Sequence, residues 1–369
     1  MPEDELTALL TLNRIEGIGS IGAKYLYQQF GSAQEIFRNR EHLKDIIPGT
    51  DTQIIDALCG AGYDSFIREE LDFIEKHGIR CVTIADPDYP ARLLDCHDAP
   101  LVLFSLGNVN YNATHTVGIV GTRKATDYGR RMCHTFVKEL HELCPDITIV
   151  SGLAYGIDIE SHKAALEFGF PTIGVLAHGL DMIYPSAHRP VAKQMLSDGG
   201  LVTEFMSRTA PLGQNFVRRN RIIAGLSDAV VVVESAAKSG SLITAEIAGS
   251  YNRDCFAFPG SVGDPYSVGC NELIRDNRAS LITSAFDMVN ALNWNVRKKG
   301  SAVQKELFPD LSDEENKVYS RIRLKAQGVH ISTLMTELNI PYPHLSTILF
   351  SLEMKGLVKQ APGSLCKPL

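Results

Sequence analysis

From about residue 115 to residue 292 the chain alternates short apolar runs with helix-patterned stretches, and this alternation restricts the fold more than any other feature. The apolar runs are Val117–Val120, Ile147–Val150, Thr172–Leu176, Leu201–Thr203, Ala229–Val233, Cys255–Phe258 and Leu281–Thr283. Each is too short for a helix, and many of their residues are β-branched. Most lack a polar face, so they suit strands covered on both sides. Between them Tyr128–Leu143, Ile159–Phe168 and Leu242–Tyr251 carry helical patterning. Such repetition predicts an α/β fold with a doubly wound, mostly parallel sheet and right-handed crossovers. A sheet of this kind binds ligands at the loops beyond the C-terminal ends of its strands.

Those loops carry the candidate chemistry. The first is Gly121-Thr122-Arg123-Lys124, where Gly121 permits a tight turn and Arg123 projects over the strand end. It has no G-x-G-x-x-G, so the dinucleotide fingerprint is absent. The second, Ser151-Gly152-Leu153-Ala154-Tyr155-Gly156-Ile157-Asp158, offers small residues with accessible amides. Asp158 is placed to cap the helix that follows, and His162 reads equally as core or surface. The third contains His178, Gly179 and Asp181 and then Tyr184-Pro185; with no Ser or Cys nucleophile in reach, it reads as turn chemistry rather than catalysis.

The fourth region is the richest. Phe216 precedes Arg218, Arg219, Asn220 and Arg221, and an exposed aromatic there would stack on a base. The alternative is that Phe216 packs under the sheet edge. The three arginines cannot share one helix face, so one or two are expected to hold carboxylates such as Glu204 or Glu234. Lys238-Ser239-Gly240-Ser241 then supplies a cation, two hydroxyls and bare amides at a helix start, which makes a phosphate nest. It lacks the spacing of an NTPase loop. Arg253, before the next strand, adds positive charge. A row of such loops suits a polyanion better than a single nucleotide, and single-stranded nucleic acid offers successive phosphates with unstacked bases.

The flanks read as separate pieces. Residues 1–75 are helix-patterned, with Gly17-Ile18-Gly19 between two apolar helices. This is either a helix-hairpin-helix, SAM-like DNA module or a plain helical domain. Residues 76–294 hold the sheet, entered through an irregular, proline-containing connector over 86–107. Residues 295–309 are polar and basic, as in a linker. Residues 310–369 give three helices, Glu314–Leu324, Ile331–Leu338 and His344–Lys355, then Gly356-Leu357-Val358 and Gly363 as a strand and wing. The third helix is poor in the Arg, Lys, Asn and Gln that read a major groove, so this winged helix points to protein contact. A net charge of −7 argues against an overall basic coat but permits a local basic stripe. The eight cysteines have no CxxC spacing, so no metal is expected, and no cofactor either. No apolar run approaches the ~18 residues of a membrane span, and no secretory signal is seen. The expectation is a cytoplasmic protein away from membranes.

Taken in order, GTR at 121–123, SGLAYGID at 151–158, GLDMIYP at 179–185, RNRIIAGLSDAVVVVE at 219–234, KSGSLITA at 238–245 and FPG at 258–260 resemble the signature of the DNA processing protein DprA family, also called Smf. The resemblance implies an extended Rossmann-like fold that binds single-stranded DNA, forms a homodimer and helps load RecA recombinase during natural transformation. It implies that Arg123 meets a DNA phosphate and Phe216 a base, with Ser239–Ser241 and Arg253 in the same groove. Two departures stand out. The family often has Pro where this chain has Val217, and Gly-Ala where it has Asn277-Arg278-Ala279. The rival reading is an enzyme, because the domain is also similar in outline to nucleoside-monophosphate phosphoribohydrolases. Their PGGxGTxxE loop carries a catalytic Glu, and here Thr244 stands in that place. That favours binding over catalysis, with no catalytic residue assigned.

Overall fold

The computed structural model describes residues 3–15, 17–47, 52–60, 65–294, 311–323, 325, 328–355, 357–361 and 364–368. The expected linker 295–309 and the wing glycines Gly356 and Gly363 lie outside the described residues. The chain divides into two compact units, Met1–Arg297 and Lys298–Leu369.

The first unit holds a nine-stranded sheet. In chain order its strands are β1 Arg80–Thr83, β2 Val102–Gly107, β3 His115–Val120, β4 Ile147–Ser151, β5 Thr172–Val175, β6 Gly199–Thr203, β7 Ala229–Val232, β8 Asp254–Ala257 and β9 Ser280–Leu281. Their order in space is β1-β2-β6-β5-β4-β3-β7-β8-β9. β3 to β9 are mutually parallel, while β2 runs antiparallel to both β1 and β6. Seven strands thus match the apolar runs of the sequence. β1 and β2 were not anticipated. Pro87, Pro90 and Pro100 made the stretch before β2 read as irregular, and β1 is a short edge strand without a continuous apolar run.

Side chains leave β7 on alternate faces. Val230 and Val232 enter one core with Ile222, Ile223 and Ala245, and Ala229 and Val231 enter the other with Phe136, Leu140 and Phe258. All four β7 side chains are fully buried. Each valine is worth ~1.5–3 kcal/mol of burial, which is why so short a strand is secure.

Within the parallel part the chain lays β3 first, builds outward through β4, β5 and β6, and then returns to the other side of β3 for β7, β8 and β9. The order therefore reverses between β3 and β7. A crevice opens at that switch, outside the C-terminal ends of the two strands.

The N-terminal helices, among them Glu3–Arg14, Ser20–Phe30 and Ser65–His77, cover the antiparallel end. Leu9, Leu10, Leu12, Leu26 and Ile67 share one core with Leu101, Val102 and Phe104 of the β2 region. Lys24 donates to the carbonyls of Leu94 and Cys96, each at 2.7 Å. Gly17 (φ +90°) and Gly19 face open space before the Ser20 helix. The second unit has helices Asp313–Arg323, Ile331–Leu338 and Tyr342–Met354, with strands β10 Val329–His330, β11 Val358–Ala361 and β12 Leu365–Pro368 in the order β10-β12-β11. β11 and β12 pair as an antiparallel hairpin, the wing. The third helix leaves Phe350 and Met354 exposed, one turn apart.

Candidate nucleic-acid interface

A cleft of about 370 Å³ lies at the β3/β7 switch. The loop after β3 brings Gly121, Thr122 and Arg123. The helix Gly213–Leu226 brings Phe216, Arg219 and Asn220, and the loop after β7 brings Lys238, Ser239, Gly240 and Ser241. Ala154 and Asp158 of the second loop complete the lining, so three of the four expected loop regions meet there.

Close packing fixes the β3 loop. A Cβ on Gly121 would lie 2.5 Å from Ile157 Cγ1, and a Cβ on Gly156 (φ +77°) would lie 2.1 Å from the Thr122 carbonyl. The Thr122 amide donates to the Glu234 carbonyl at 2.7 Å, and the Lys124 amide to Thr122 Oγ1 at 3.1 Å. Glu234 holds no arginine. Its carboxylate takes the Thr126 hydroxyl (2.6 Å) and amide (2.9 Å) at the start of the next helix. Arg123 is exposed, its guanidinium carbon 4.8 Å from the Phe216 ring centre, with no ion pair among the described residues. Lys124 is exposed beside the cleft but does not line it. Phe216 is half-buried and also meets Tyr184 edge-on at 5.9 Å. Tyr184 is itself exposed on the loop after β5, where the sequence reads Tyr184-Pro185 as turn chemistry and not as part of the binding site. Its signal was an aromatic directly before Pro185 at a strand-end loop.

The nest after β7 sits at the N-terminus of the helix Gly240–Ser250. Ser241 Oγ lies 2.9 Å from both Ser235 Oγ and Ser239 Oγ. No side-chain hydrogen bond caps the helix at Ser239, so the first turn still has amide donors to offer an anion. Asn220 Nδ2 donates to the Gly240 carbonyl at 3.2 Å and ties this loop to the arginine helix. Thr244 is buried on the cleft wall, its hydroxyl on the Gly240 carbonyl.

Arg219 is a brace rather than an open cation. It is buried, and Nη1 donates to the carbonyls of Gly152 (2.5 Å) and Val175 (2.6 Å), while Nε reaches Asn220 Oδ1 at 3.2 Å. Burial lowers its pKa to about 10, which leaves it charged at neutral pH. Asp158 is the acid in the cleft lining. Burial holds its carboxyl above the ordinary range, opposed by Arg219 and by the amides of Ala154 and Gly152. The expectation that Asp158 caps its helix is therefore corrected. That helix starts at Ile157 behind Gly156, and Asp158 turns back to its own loop and Arg219.

Other expected positions lie elsewhere. Ser151 is fully buried with its hydroxyl on the Ile119 carbonyl at 2.6 Å. The space beside Gly152 is filled by Arg219, whose Nη1 would be 2.2 Å from an added Cβ. At these two positions the second loop supports the cleft without opening onto it; the loop lines the cleft only at Ala154 and Asp158. Arg253 is at the wrong end: it precedes β8, so it sits at the N-terminal edge of a parallel strand, where its Nη2 donates to the Arg92 carbonyl at 2.5 Å. The expectation that it lines the same groove fails for that reason. Arg278 precedes β9 on the same edge and lies 3.7 Å from Asp276. Arg218 and Arg221 both turn to Glu204, the first at 3.1 Å. His178 is buried, with Nδ1 2.8 Å from the Gly179 carbonyl and Nε2 accepting the Tyr184 amide at 3.2 Å, and Asp181 takes the Arg208 amide at 3.0 Å. His162 is core: it contacts Thr172 Oγ1 at 2.8 Å, and burial pushes its pKa down to about 3. Among the described residues no cluster of His, Cys, Asp or Glu is arranged to hold a metal, and no helix is long and apolar enough to cross a membrane.

Comparison with known proteins agrees with this architecture. Residues 80–293 match the family of DNA recombination-mediator protein A, and residues 305–364 match the DprA winged helix domain. The chain belongs to the DNA recombination-mediator protein A family. It is 31% identical to Protein Smf of a Synechocystis strain, with 98% of each chain covered. Its fold is similar to the X-ray structure of DNA processing protein A from Streptococcus pneumoniae, at TM-score 0.65 and 32% identity over 77% of this chain and 97% of that one. It is also similar to DNA processing protein A from Helicobacter pylori, a structure that concerns a single-stranded DNA binding mode, at TM-score 0.53 and 29% identity over 58% of this chain and 95% of that one. Within the DNA recombination-mediator protein A match fall the cleft loops, Arg123, Phe216 and the Lys238–Ser241 nest.

Proposed function

We propose that this protein binds single-stranded DNA in the β3/β7 cleft and delivers the coated strand to RecA recombinase. The observation that carries the reading is Arg123 laid over Phe216 at the rim of a cleft whose far wall is an open helix N-terminus. A strand needs both elements: a cation and amides for phosphates, and an exposed ring for a base. Lys238 adds a second exposed cation. The family and the single-stranded DNA binding mode described for the Helicobacter pylori relative support this. RecA loading in natural transformation, a homodimer and a cytoplasmic setting complete the proposal on the strength of the family resemblance. The winged helix, with Phe350 and Met354 outward, is assigned to protein contact.

The test is a fluorescence titration with oligo-dT across a salt series, beside a blunt duplex. Tight, salt-sensitive binding to the single strand and weaker binding to duplex are expected. Equal affinity for both would overturn the reading. The rival enzyme reading is checked in the same preparation: release of free base from nucleoside monophosphates would establish it, despite Thr244 in the place of the catalytic Glu.

A further inference from the structure

The loop from His178 to Pro185 is the strand-end region that contributes nothing to the lining of the cleft. It presents Tyr184, which is 46% exposed and meets Phe216 edge-on at 5.9 Å. Single exposed rings are ordinary on a protein surface. The setting of this one is not. His178 is buried, and its Nδ1 lies 2.8 Å from the Gly179 carbonyl, so Nδ1 bears the proton and Nε2 is left to accept the Tyr184 amide at 3.2 Å. Burial lowers the His178 pKa, which keeps the ring neutral and Nε2 an acceptor at neutral pH. Gly179 is pressed against the loop after β6: its amide donates to the Thr209 carbonyl at 3.2 Å, and an added Cβ would lie 2.5 Å from the Met206 carbonyl. Asp181 takes the Arg208 amide at 3.0 Å, and Pro185 is buried. An exposed ring thus stands on a backbone fixed at several points.

Phe216 and Tyr184 are not equivalent. The guanidinium carbons of Arg123 and Arg219 lie 4.8 and 5.8 Å from the Phe216 ring centre. Among the described residues no cation lies over Tyr184, and its hydroxyl makes no hydrogen bond. Tyr184 is the freer ring of the pair. The two cannot hold one base between them. That would need parallel planes about 7 Å apart, twice the ~3.4 Å stacking distance, and these planes are inclined by 62° at 5.9 Å. They suit successive bases instead. In the sheet order β5 lies on the side of β3 away from β7. The anion nest after β7, Phe216 above the β3 loop, and Tyr184 after β5 therefore follow one another along the C-terminal edge.

We propose that a single strand gripped between the Lys238–Ser241 nest and Phe216 continues over Tyr184, which takes the next base on its ring. The proposal rests on the DNA-binding reading above. It gives the His178–Pro185 loop a part in binding: it holds a stacking ring in place before the strand arrives, so little is lost in ordering that side chain.

The experiment uses full-length protein. Trp294 is the chain's single tryptophan, and it stacks on His115 at the start of β3, on the opposite edge of the sheet. Tyr184→Trp therefore adds a reporter at the site above a distant background. Binding is followed independently by the anisotropy of end-labelled oligo-dT of about twenty nucleotides. At saturation the emission added by Tyr184→Trp should be quenched by stacked thymine. An abasic strand of the same length, which keeps the phosphates, should bind without quenching. Tyr184→Ala should weaken oligo-dT binding about tenfold, with the salt slope unchanged because no phosphate contact is lost, and Tyr184→Phe should keep the parent's affinity. The proposal is overturned if saturating oligo-dT leaves the added emission unchanged, if the abasic strand quenches it as strongly, or if Tyr184→Ala binds like the parent. Weaker binding by Tyr184→Ala beside an unquenched tryptophan would make Tyr184 a support for Phe216 and no base platform. A parent that fails to bind oligo-dT removes the DNA reading itself, and this proposal with it.

Discussion

Replacing Arg219 with methionine separates support of the cleft from contact with its ligand. The substitution leaves the carbonyls of Gly152 and Val175 without their 2.5 and 2.6 Å donors. Each buried carbonyl left unpaired costs ~1–3 kcal/mol. It also removes the largest influence that holds Asp158 ionised. Stripping one partner from a buried charge pair costs about 3–5 kcal/mol. These terms overlap, so a total of about 3–5 kcal/mol is expected, and a fall in Tm on the order of 10 °C. The loss depends on pH in a defined direction. The folded pKa of Asp158 is already raised by burial, so its contribution favours folding below the unfolded pKa and is lost as pH rises through the folded one. Without Arg219 that folded pKa moves higher still. The deficit of the variant relative to the parent is therefore full at neutral pH and shrinks as pH falls through the raised value. Calorimetry of both proteins over a pH series from about 7.5 down into the ordinary carboxylate range reads this directly. A deficit of the same size throughout would show that Asp158 is not the group left stranded. A deficit below ~1 kcal/mol would show that Arg219 braces nothing.

The remaining predictions concern single positions. Arg123→Ala should weaken oligo-dT binding and lower the salt slope by about 0.7 with Tm unchanged, since it makes no ion pair among the described residues; an unaltered isotherm would remove it from the binding surface. Phe216→Ala should cost ~1–3 kcal/mol of binding free energy through lost base stacking, with little change in salt slope, measured in the same titration. Arg253→Ala should leave oligo-dT affinity untouched, because Arg253 sits at the opposite edge of the sheet on the Arg92 carbonyl; a weaker complex would contradict that placement. In the second unit, hydrogen bonds from Lys355, Ser351 and the Ser312 amide hold the Glu315 carboxyl down at about 2. That depressed pKa contributes stability above the ordinary value of 4.5, lost as pH falls towards about 2. Acid melts of Glu315→Gln should show a shallower decline of the winged helix over that window, and an unchanged slope would refute the assignment.

The parallel part of the sheet was legible because burial on both faces demands continuous apolar runs, and a run such as Ala229–Val233 has no other use in a chain of this kind. β1 and β2 were not legible for separate reasons. β1 is an edge strand and needs no strong pattern, while the prolines before β2 disguise its buried apolar run, Val102–Phe104, as part of a loop. The strand order is also absent from the pattern itself. Nothing in the individual runs says that β7 returns to the free side of β3, yet that return makes the cleft.

The site residues divide along a similar line. Arg123 after β3 and the Lys238–Ser241 nest after β7 lie at the expected edge, because position in a parallel sheet fixes which edge a loop occupies, whereas Ser151 and Gly152 at the end of β4 reach that edge but are closed off by burial and by Arg219. The same rule, applied to Arg253, puts it on the far edge, since a residue before a strand cannot share the edge of residues after one. Spacing alone could not separate Arg219 from its neighbours. Adjacent residues on a helix differ by ~100°, so Arg218 and Arg221 went to Glu204 while Arg219 turned inward beneath Phe216. A buried guanidinium at that point does more than fill space. It links the loops after β4 and β5 to the helix that carries Phe216 and Asn220, and Asn220 in turn holds the anion nest at Gly240. The cleft is therefore set before any ligand arrives, which lowers the ordering cost of gripping a flexible strand.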